Sequence, residues 1–503
     1  MSGILAALTT DHRRAVRIAE SAQAAEGVLT LERFRAWFAE RRREDASRVE
    51  RIPLDELDRW RTDPATGDIA HESGRFFAVT GLSAEVAGAA VPAWTQPILL
   101  QPEIGILGIL AKEIDGVLHF LMQAKNEPGN PDGVEISPTV QATRSNYTRV
   151  HRGAPVPYLD YFRDTRRHHV IADVLQSEQG SWFFQKRNRN IIVETTDEVE
   201  PLEGFAWLTL GQLHRLLAGD TVVNMDARTV LSCLPFSGVG LSSSHAFPGQ
   251  EFRQSVLRSY SEEFAGLHDI GGILSWITET RSRHEVAARR VPLRDAELWH
   301  RRDGTIEHES GLFFRVIGVR VESGHREVSR WDQPLVEPIG VGVNAFLVKR
   351  VDGVLHALVH AGVQPGFRDV LELGPTVRCT PGNYAWLPAA ARPPFLDEVL
   401  SAPPERIRFA SVLSEEGGRF RDARNRYMII ETDAGHAPDP GPDYRWLTLH
   451  QLVGLLRHSH YVSVEARSLV ACLHSLGGLL GIAHGAVGDR PHPAAVALDQ
   501  LGE

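Results

Sequence analysis

The chain repeats itself. HESGRFF at His71–Phe77 returns as HESGLFF at His308–Phe314, and Trp94-Thr95-Gln96-Pro97 returns as Trp331-Asp332-Gln333-Pro334. DGVLH at Asp115–His119 returns at Asp352–His356, Pro138-Thr139-Val140 at Pro375-Thr376-Val377, Asn146-Tyr147 at Asn383-Tyr384, and Asn188-Arg189 at Asn425-Arg426, all 237 residues on. RIPLDEL and RVPLRDA, and the Trp-Leu-Thr-Leu blocks at 207 and 446, are 239 apart. Blocks in constant order with small shifts mark an old tandem duplication. The period is far too long for a solenoid, so each copy is domain-sized. With 503 residues, two such copies are also what the limited size of a hydrophobic core leads one to expect.

Each copy runs through the same elements. Leu31, Phe34, Trp37 and Phe38, and again Ile273, Trp276 and Ile277, fall at helical spacing. A strand is expected near Arg75–Val79. Ile104–Ile114 and Val117–Ala124 flank Asp115-Gly116, a strong hairpin signal because a type I′ turn needs positive φ at both central residues. Val134–Thr143 reads as a further strand, with a third pairing around 170–194 and short closing helices at Leu210–Leu217 and Asp226–Leu234. Strands first and helices at the ends predict an α+β fold with a mixed or antiparallel sheet. The stretch from about 236 to 265 reads as the linker between the copies together with a lead-in helix.

Composition narrows the function classes. Basic residues number 54 and acidic ones 64, for a net charge of −10, which disfavours a general nucleic-acid binder. The three cysteines, Cys233, Cys379 and Cys472, form no metal-binding spacing. No signal peptide or membrane-spanning run is read, so the expectation is a cytoplasmic protein with no membrane partner. Nucleophile-elbow, Walker and dinucleotide-binding motifs and DxD or HxH metal runs are absent, leaving a cofactor-independent reaction or pure binding, with no metal.

Polar chemistry concentrates between Gln123 and Arg152. Alternation along Glu135, Ser137, Thr139, Gln141 and Thr143 would place five polar side chains on one strand face. Such a face is usually solvated, yet this one is rich in hydroxyl and amide groups suited to a sugar or base. A second cluster, Lys186-Arg187-Asn188-Arg189-Asn190, offers guanidinium groups for phosphate. The copies also differ. Lys125 corresponds to Gly362, Glu127 to Gln364, Gln141 to Arg378 and Ser145 to Gly382. Acid–base chemistry therefore belongs more readily to the first copy.

The run Ser137–Arg149 (SPTVQATRSNYTR), with Gln176–Gly180, Arg187–Asn190 and Trp446–Leu449, resembles the NDP-hexose 2,3-dehydratases of deoxysugar biosynthesis. The resemblance covers nearly the whole chain. It implies two Nudix-hydrolase-like modules, 1–240 and 241–503, in a homodimer serving a natural-product (antibiotic) pathway. The Nudix signature itself is missing from both copies, so metal-dependent diphosphate hydrolysis is not expected. The implied substrate is dTDP-4-keto-6-deoxy-D-glucose, without cofactor, and the unstable product would pass to a 3-ketoreductase. On this resemblance Tyr147, Lys125 and Glu127 are candidates for proton transfer. Gln141, Thr143, Ser145 and Asn146 would hold the sugar. Arg149, Arg187 and Arg189 would hold the diphosphate, Asn188 would be a further substrate-binding residue, and Trp182 would stack on thymine. Thr376, Thr380, Asn383, Tyr384, Asn425 and Arg426 would form a second nucleotide-sugar site. A non-catalytic nucleotide-sugar binder and a Nudix-type hydrolase with a displaced metal site are the alternatives.

Overall fold

A computed structural model describes residues 2–45, 47–148, 155–236, 251–324, 328–432 and 441–478, with side chains from residue 13 onward. The two copies have the same architecture. In the first, a seven-stranded mixed sheet comprises Gly105–Ile114, Val117–Asn126, Val134–Ser137, Val140–Ala142, His169–Ser177, Arg187–Glu194 and Phe205–Thr209. Arg187–Glu194 runs parallel to Gly105–Ile114, and the remaining pairs are antiparallel. The second copy repeats this with Gly342–Val351, Val354–Val363, Leu371–Gly374, Val377–Cys379, Ile407–Ser414, Arg424–Glu431 and Tyr444–Leu447. The α+β expectation with a mixed sheet is met. Among the described residues no helix is long and apolar enough to cross a membrane.

Local signals formed as read. Asp115 has φ 50° and Gly116 φ 78°, the positive pair that the hairpin turn requires. Helix Leu31–Glu44 buries Leu31, Phe34 and Phe38 and is capped by the Thr30 side chain on Arg33 N. Helix Ile270–Arg283 buries Ile273, Trp276 and Ile277. The strand expected from Arg75 begins only at Ala78, because Phe76 takes a left-handed φ of 70°.

The predicted strand Val134–Thr143 is broken. Val134–Ser137 pairs with Val117–Asn126, whereas Val140–Ala142 pairs with Gly105–Ile114. Pro138-Thr139 makes the crossing, and the Thr139 hydroxyl takes the place of a ladder bond. It accepts from Leu110 N at 2.9 Å and donates to Leu121 O. Thr376 does the same between Leu347 N and Leu358 O. The expected polar face is thus not a solvated strand face: Glu135, Ser137 and Thr139 are buried.

A smaller sheet sits beside each main sheet, and here the copies exchange strands. Arg48–Ile52, from the first copy, pairs with Phe314–Glu322 of the second. Val286–Val291, from the second, pairs with Ala78–Val86 of the first. The loops across the seam are reciprocal as well. Gly129 N donates to Gly417 O at 2.7 Å, and 237 residues on Gly366 N donates to Gly180 O at 2.7 Å. Arg228 and Arg467 are fully buried and clasp opposite halves, Arg228 through Ser414 O and Arg467 through Ser177 O, each at 2.6 Å. The largest buried apolar cluster runs without a break from Ile18 through Phe120 and Leu231 to Phe346 and Leu473.

Candidate active site

A cavity of about 320 Å³ opens where the main sheet of the first copy meets the second copy. The first copy lines it with Lys125, Glu127 and Gln141 from the sheet, Thr143 and Asn146 beyond it, and Lys186 and Asn188 from the neighbouring hairpin. Asp226 enters from the start of helix Met225–Leu231. Trp60, His71, Phe76 and Phe77 form an aromatic side. The second copy closes the cavity with Arg330–Gln333 and with Glu416, Gly418 and Arg419.

The polar side chains are tied together. Gln141 Nε2 donates to Glu127 Oε2 at 2.9 Å, and Lys125 Nζ donates to Gln141 O at 2.9 Å. Asn224 Nδ2 braces the far side of the amide, 3.2 Å from Gln141 Oε1. Lys186 Nζ donates to Glu103 O, and Arg419 Nε to Gln101 Oε1 at 3.1 Å. Lys125 and Lys186 are two of only four lysines in the chain. An ammonium can release its proton where a guanidinium does not, so their placement here has chemical meaning.

Burial sets the protonation. It pushes the Lys186 amine down to about 8, opposed by Glu178 and Glu416. The Glu416 carboxyl is pushed up to about 8, first by burial and then by the negative charges of Glu127 and Glu178, against Arg419 and Lys186. Asp226 is buried and held well above the carboxylate range by burial and by Glu178, Glu416 and Glu127. Its Oδ1 has no protein hydrogen-bond partner. Groups shifted from both directions towards neutrality in one cleft are the usual mark of acid–base chemistry.

The cavity gathers six of the expected first-copy residues: Lys125, Glu127, Gln141, Thr143, Asn146 and Asn188. Others lie apart. Tyr147 packs against the apolar cluster of Ile106, Leu110 and Val140 and is not among the lining residues. Ser145 is buried, bonded through its N–H and hydroxyl to Glu103. Trp182 packs on Phe420 with ring centroids 4.5 Å apart. Arg189 forks onto Asp173 at 2.7 and 2.6 Å, and Arg187 is not among the lining residues either. Arg149 lies outside the described residues. The repeated asparagine of the Asn-Arg pair has one job in both copies: Asn188 donates to buried Glu178 at 2.7 Å and Asn425 to buried Glu415 at 2.5 Å.

The second copy has its own, smaller cavity of about 240 Å³, lined by His360, Gln364, Glu372, Thr376, Arg378, Arg392 and Tyr444 among others. Of the residues expected there, only Thr376 lines it. Asn383 accepts from Phe313 N, Tyr384 packs in the local apolar cluster, and Thr380, Asn425 and Arg426 lie off the lining. Sequence reading missed Asp226, Glu416 and Arg419 as site residues, and noted Lys186 only as part of the cluster offered for phosphate. Glu416 did carry a signal, since it stands 237 residues from Gln179 and is a further charge difference beside Lys125/Gly362, Glu127/Gln364 and Gln141/Arg378.

Comparison with known proteins agrees with this chemistry. The NDP-hexose 2,3-dehydratase family profile matches residues 31–234 and 271–473, one match per copy. A protein of Saccharopolyspora spinosa is 50% identical over 464 residues, covering 92% of this chain and 95% of its own. One of Amycolatopsis orientalis is 51% identical over 470 residues, 92% of this chain and 94% of its own. One of Streptomyces violaceoruber is 49% identical over 447 residues, 88% and 97%. All three are named dTDP-4-dehydro-6-deoxy-alpha-D-glucopyranose 2,3-dehydratase. With both copies matched and half of all residues shared along nearly the full length, this chain belongs to the NDP-hexose 2,3-dehydratase family.

Proposed function

We propose that this chain is a carbon–oxygen lyase that removes water across C2 and C3 of dTDP-4-keto-6-deoxyglucose, in the cavity at the seam of its two copies. The C4 ketone acidifies the C3 hydrogen. Removing it gives an enolate, and the C2 hydroxyl, β to the carbonyl, leaves as water. The resulting 3-enol tautomerises to a 3,4-diketo-2,6-dideoxy sugar. The observation that carries this reading is the convergence of Lys125, Glu127 and Gln141 in one hydrogen-bonded unit on the cavity wall. Glu127 is the base for C3. Lys125, an ammonium beside it, offsets the charge that develops on O4. Thr143 and Asn146 meet sugar hydroxyls. Arg330 and Arg419, rather than Arg187 and Arg189, lie where the cavity can receive the diphosphate. Trp60, Phe76 and Phe77 offer faces for thymine.

We further propose that the modules 1–240 and 241–503 are of Nudix-like ancestry, that the chain forms a homodimer, and that a ketoreductase consumes the reactive diketone. The reaction is tested by incubating the protein with dTDP-4-keto-6-deoxyglucose and trapping a 1,2-diketone with an aromatic diamine. A trapped quinoxaline is expected. Release of dTMP instead would identify a hydrolase, and binding without either product a carrier. Lys125→Met and Glu127→Gln are each expected to lower turnover by roughly 100-fold or more, the usual contribution of a positioned acid or base. Tyr147→Phe is expected to keep most of it.

A further inference from the structure

The elimination needs an acid as well as a base, and the substrate's configuration says where. In a gluco-configured ring the C3 hydrogen and the C2 hydroxyl are on the same face. A base and an acid serving them must therefore stand side by side on one wall of the cavity, not across the sugar from each other.

One pair of groups stands so. A Cβ placed on Gly418 would lie 2.9 Å from Glu416 Oε1 and 3.1 Å from Glu127 Oε1. The two oxygens are thus separated by no more than the sum of those distances, with the bare backbone of Gly418 beside them. Glu127 comes from the first copy and Glu416 from the second. The duplication supplies an internal comparison. At the pseudo-equivalent place in the other copy, Glu127 is replaced by Gln364 and Glu416 by Gln179. Both carboxyls are present in one site and both are amides in the other. Gln364 and Gln179 there serve as structural groups: Gln364 accepts from Ser181 N at 2.9 Å, and Gln179 donates to Glu415 at 2.8 Å.

We infer that Glu416, carried by the second copy, donates the proton that lets the C2 hydroxyl leave, on the same wall from which Glu127 removes the C3 hydrogen. This rests on the dehydratase reading above and adds the acid to it. Glu127 takes the C3 proton as the C3–H electron pair moves into the enolate. The enolate then expels the C2 oxygen, which receives the Glu416 proton and departs as water. Glu127 next returns its proton to C2 of the enol, and the enol hydroxyl proton passes through the released water to Glu416. Both carboxyls end as they began, and the net loss is one water. Glu416 is held protonated for this work by burial and by Glu127 and Glu178, with Asp226 facing it and Arg419 and Lys186 opposing.

The test separates the two proton transfers. Substrate carrying deuterium at C3 is incubated with the full-length wild type, Glu416→Gln, Glu416→Asp and Glu127→Gln. Diketone is trapped, and the label in recovered substrate is followed by mass spectrometry. Glu416→Gln is expected to lose dehydration by roughly 100-fold or more yet to wash out the C3 deuterium, because the base still acts and the enolate returns to substrate. Glu127→Gln is expected to lose both activities. Glu416→Asp, which keeps a carboxyl, is expected to recover at least roughly tenfold over the amide. The inference is overturned if Glu416→Gln dehydrates at the wild-type rate, if it loses exchange along with dehydration, or if aspartate rescues nothing. Failure of the wild type to form diketone would instead overturn the dehydratase reading.

Discussion

Among the residues of the cavity, Gly418 is constrained more by its neighbours than by its backbone. It has no positive φ, so an alanine would suit its conformation, but the added methyl would press on the ends of the Glu127 and Glu416 side chains. Those ends can swing aside at little cost. Gly418→Ala is therefore expected to change the melting temperature little and to lower kcat/KM by roughly tenfold or more, read by diketone trapping. Glu135 gives a different residue-scale prediction. It is fully buried, accepts from Ser414 Oγ at 2.6 Å, and its carboxyl is pushed up to about 8, chiefly by burial. The folded chain therefore holds a proton that the unfolded chain has already lost. Its stabilising contribution is full below the ordinary carboxylate range and disappears as pH rises through about 8. Glu135→Gln removes this dependence. Its melting temperature should fall less steeply than the wild type's between about pH 6 and about pH 9 and should be the higher of the two at the alkaline end.

At the scale of elements, what was legible depended on whether local physics decides. The hairpin at Asp115-Gly116 and the helices at Leu31 and Ile270 follow from turn chemistry and periodicity, and all formed. The strand Val134–Thr143 was read as one piece because its alternation is unbroken. It splits because Ser137-Pro138-Thr139 passes between two different partner strands, and a hydroxyl replacing a ladder bond has no signature in a residue pattern. The seam loops are equally silent in sequence and give a paired prediction. A Cβ on Gly129 would sit 1.7 Å from Phe420 O, and one on Gly366 2.0 Å from Phe183 O, so either alanine forces backbone apart. Both Gly129→Ala and Gly366→Ala should cost about 3 kcal/mol or more in denaturant unfolding. Only Gly129→Ala borders the cavity loop, so it should also lose activity at temperatures where both variants remain folded.

Over the whole molecule, duplication has become interdependence. Each copy completes the small sheet of the other, Arg228 and Arg467 reach across, and the apolar core is continuous. Segments 1–240 and 241–503 produced separately should therefore remain unfolded or aggregate. Produced together they should yield a soluble complex with dehydratase activity. Circular dichroism and size exclusion of each half and of the mixture check this; two independently folded halves would contradict it. The same interdependence explains the asymmetry of the two sites. One cavity holds Lys125, Glu127, Lys186, Glu416 and Arg419; the positions 237 residues away are Gly362, Gln364, Ala423, Gln179 and Trp182, of which Gly362 and Gln364 line the second cavity.

The sequence by itself determined that there are two like copies, that each is α+β, where the hairpin turns lie and which copy keeps the lysine and glutamate that the other replaces by glycine and glutamine. These follow from spacing, turn chemistry and residue type, which act over a few residues or are compared position by position. Only the tertiary structure decided that the copies exchange strands, that Tyr147 faces an apolar core, and that Glu416 and Arg419 of one copy complete the cavity of the other. Those outcomes depend on contacts between residues about 290 apart, such as Gly129 N with Gly417 O, and such contacts are set by how two folded surfaces pack, which no local pattern encodes.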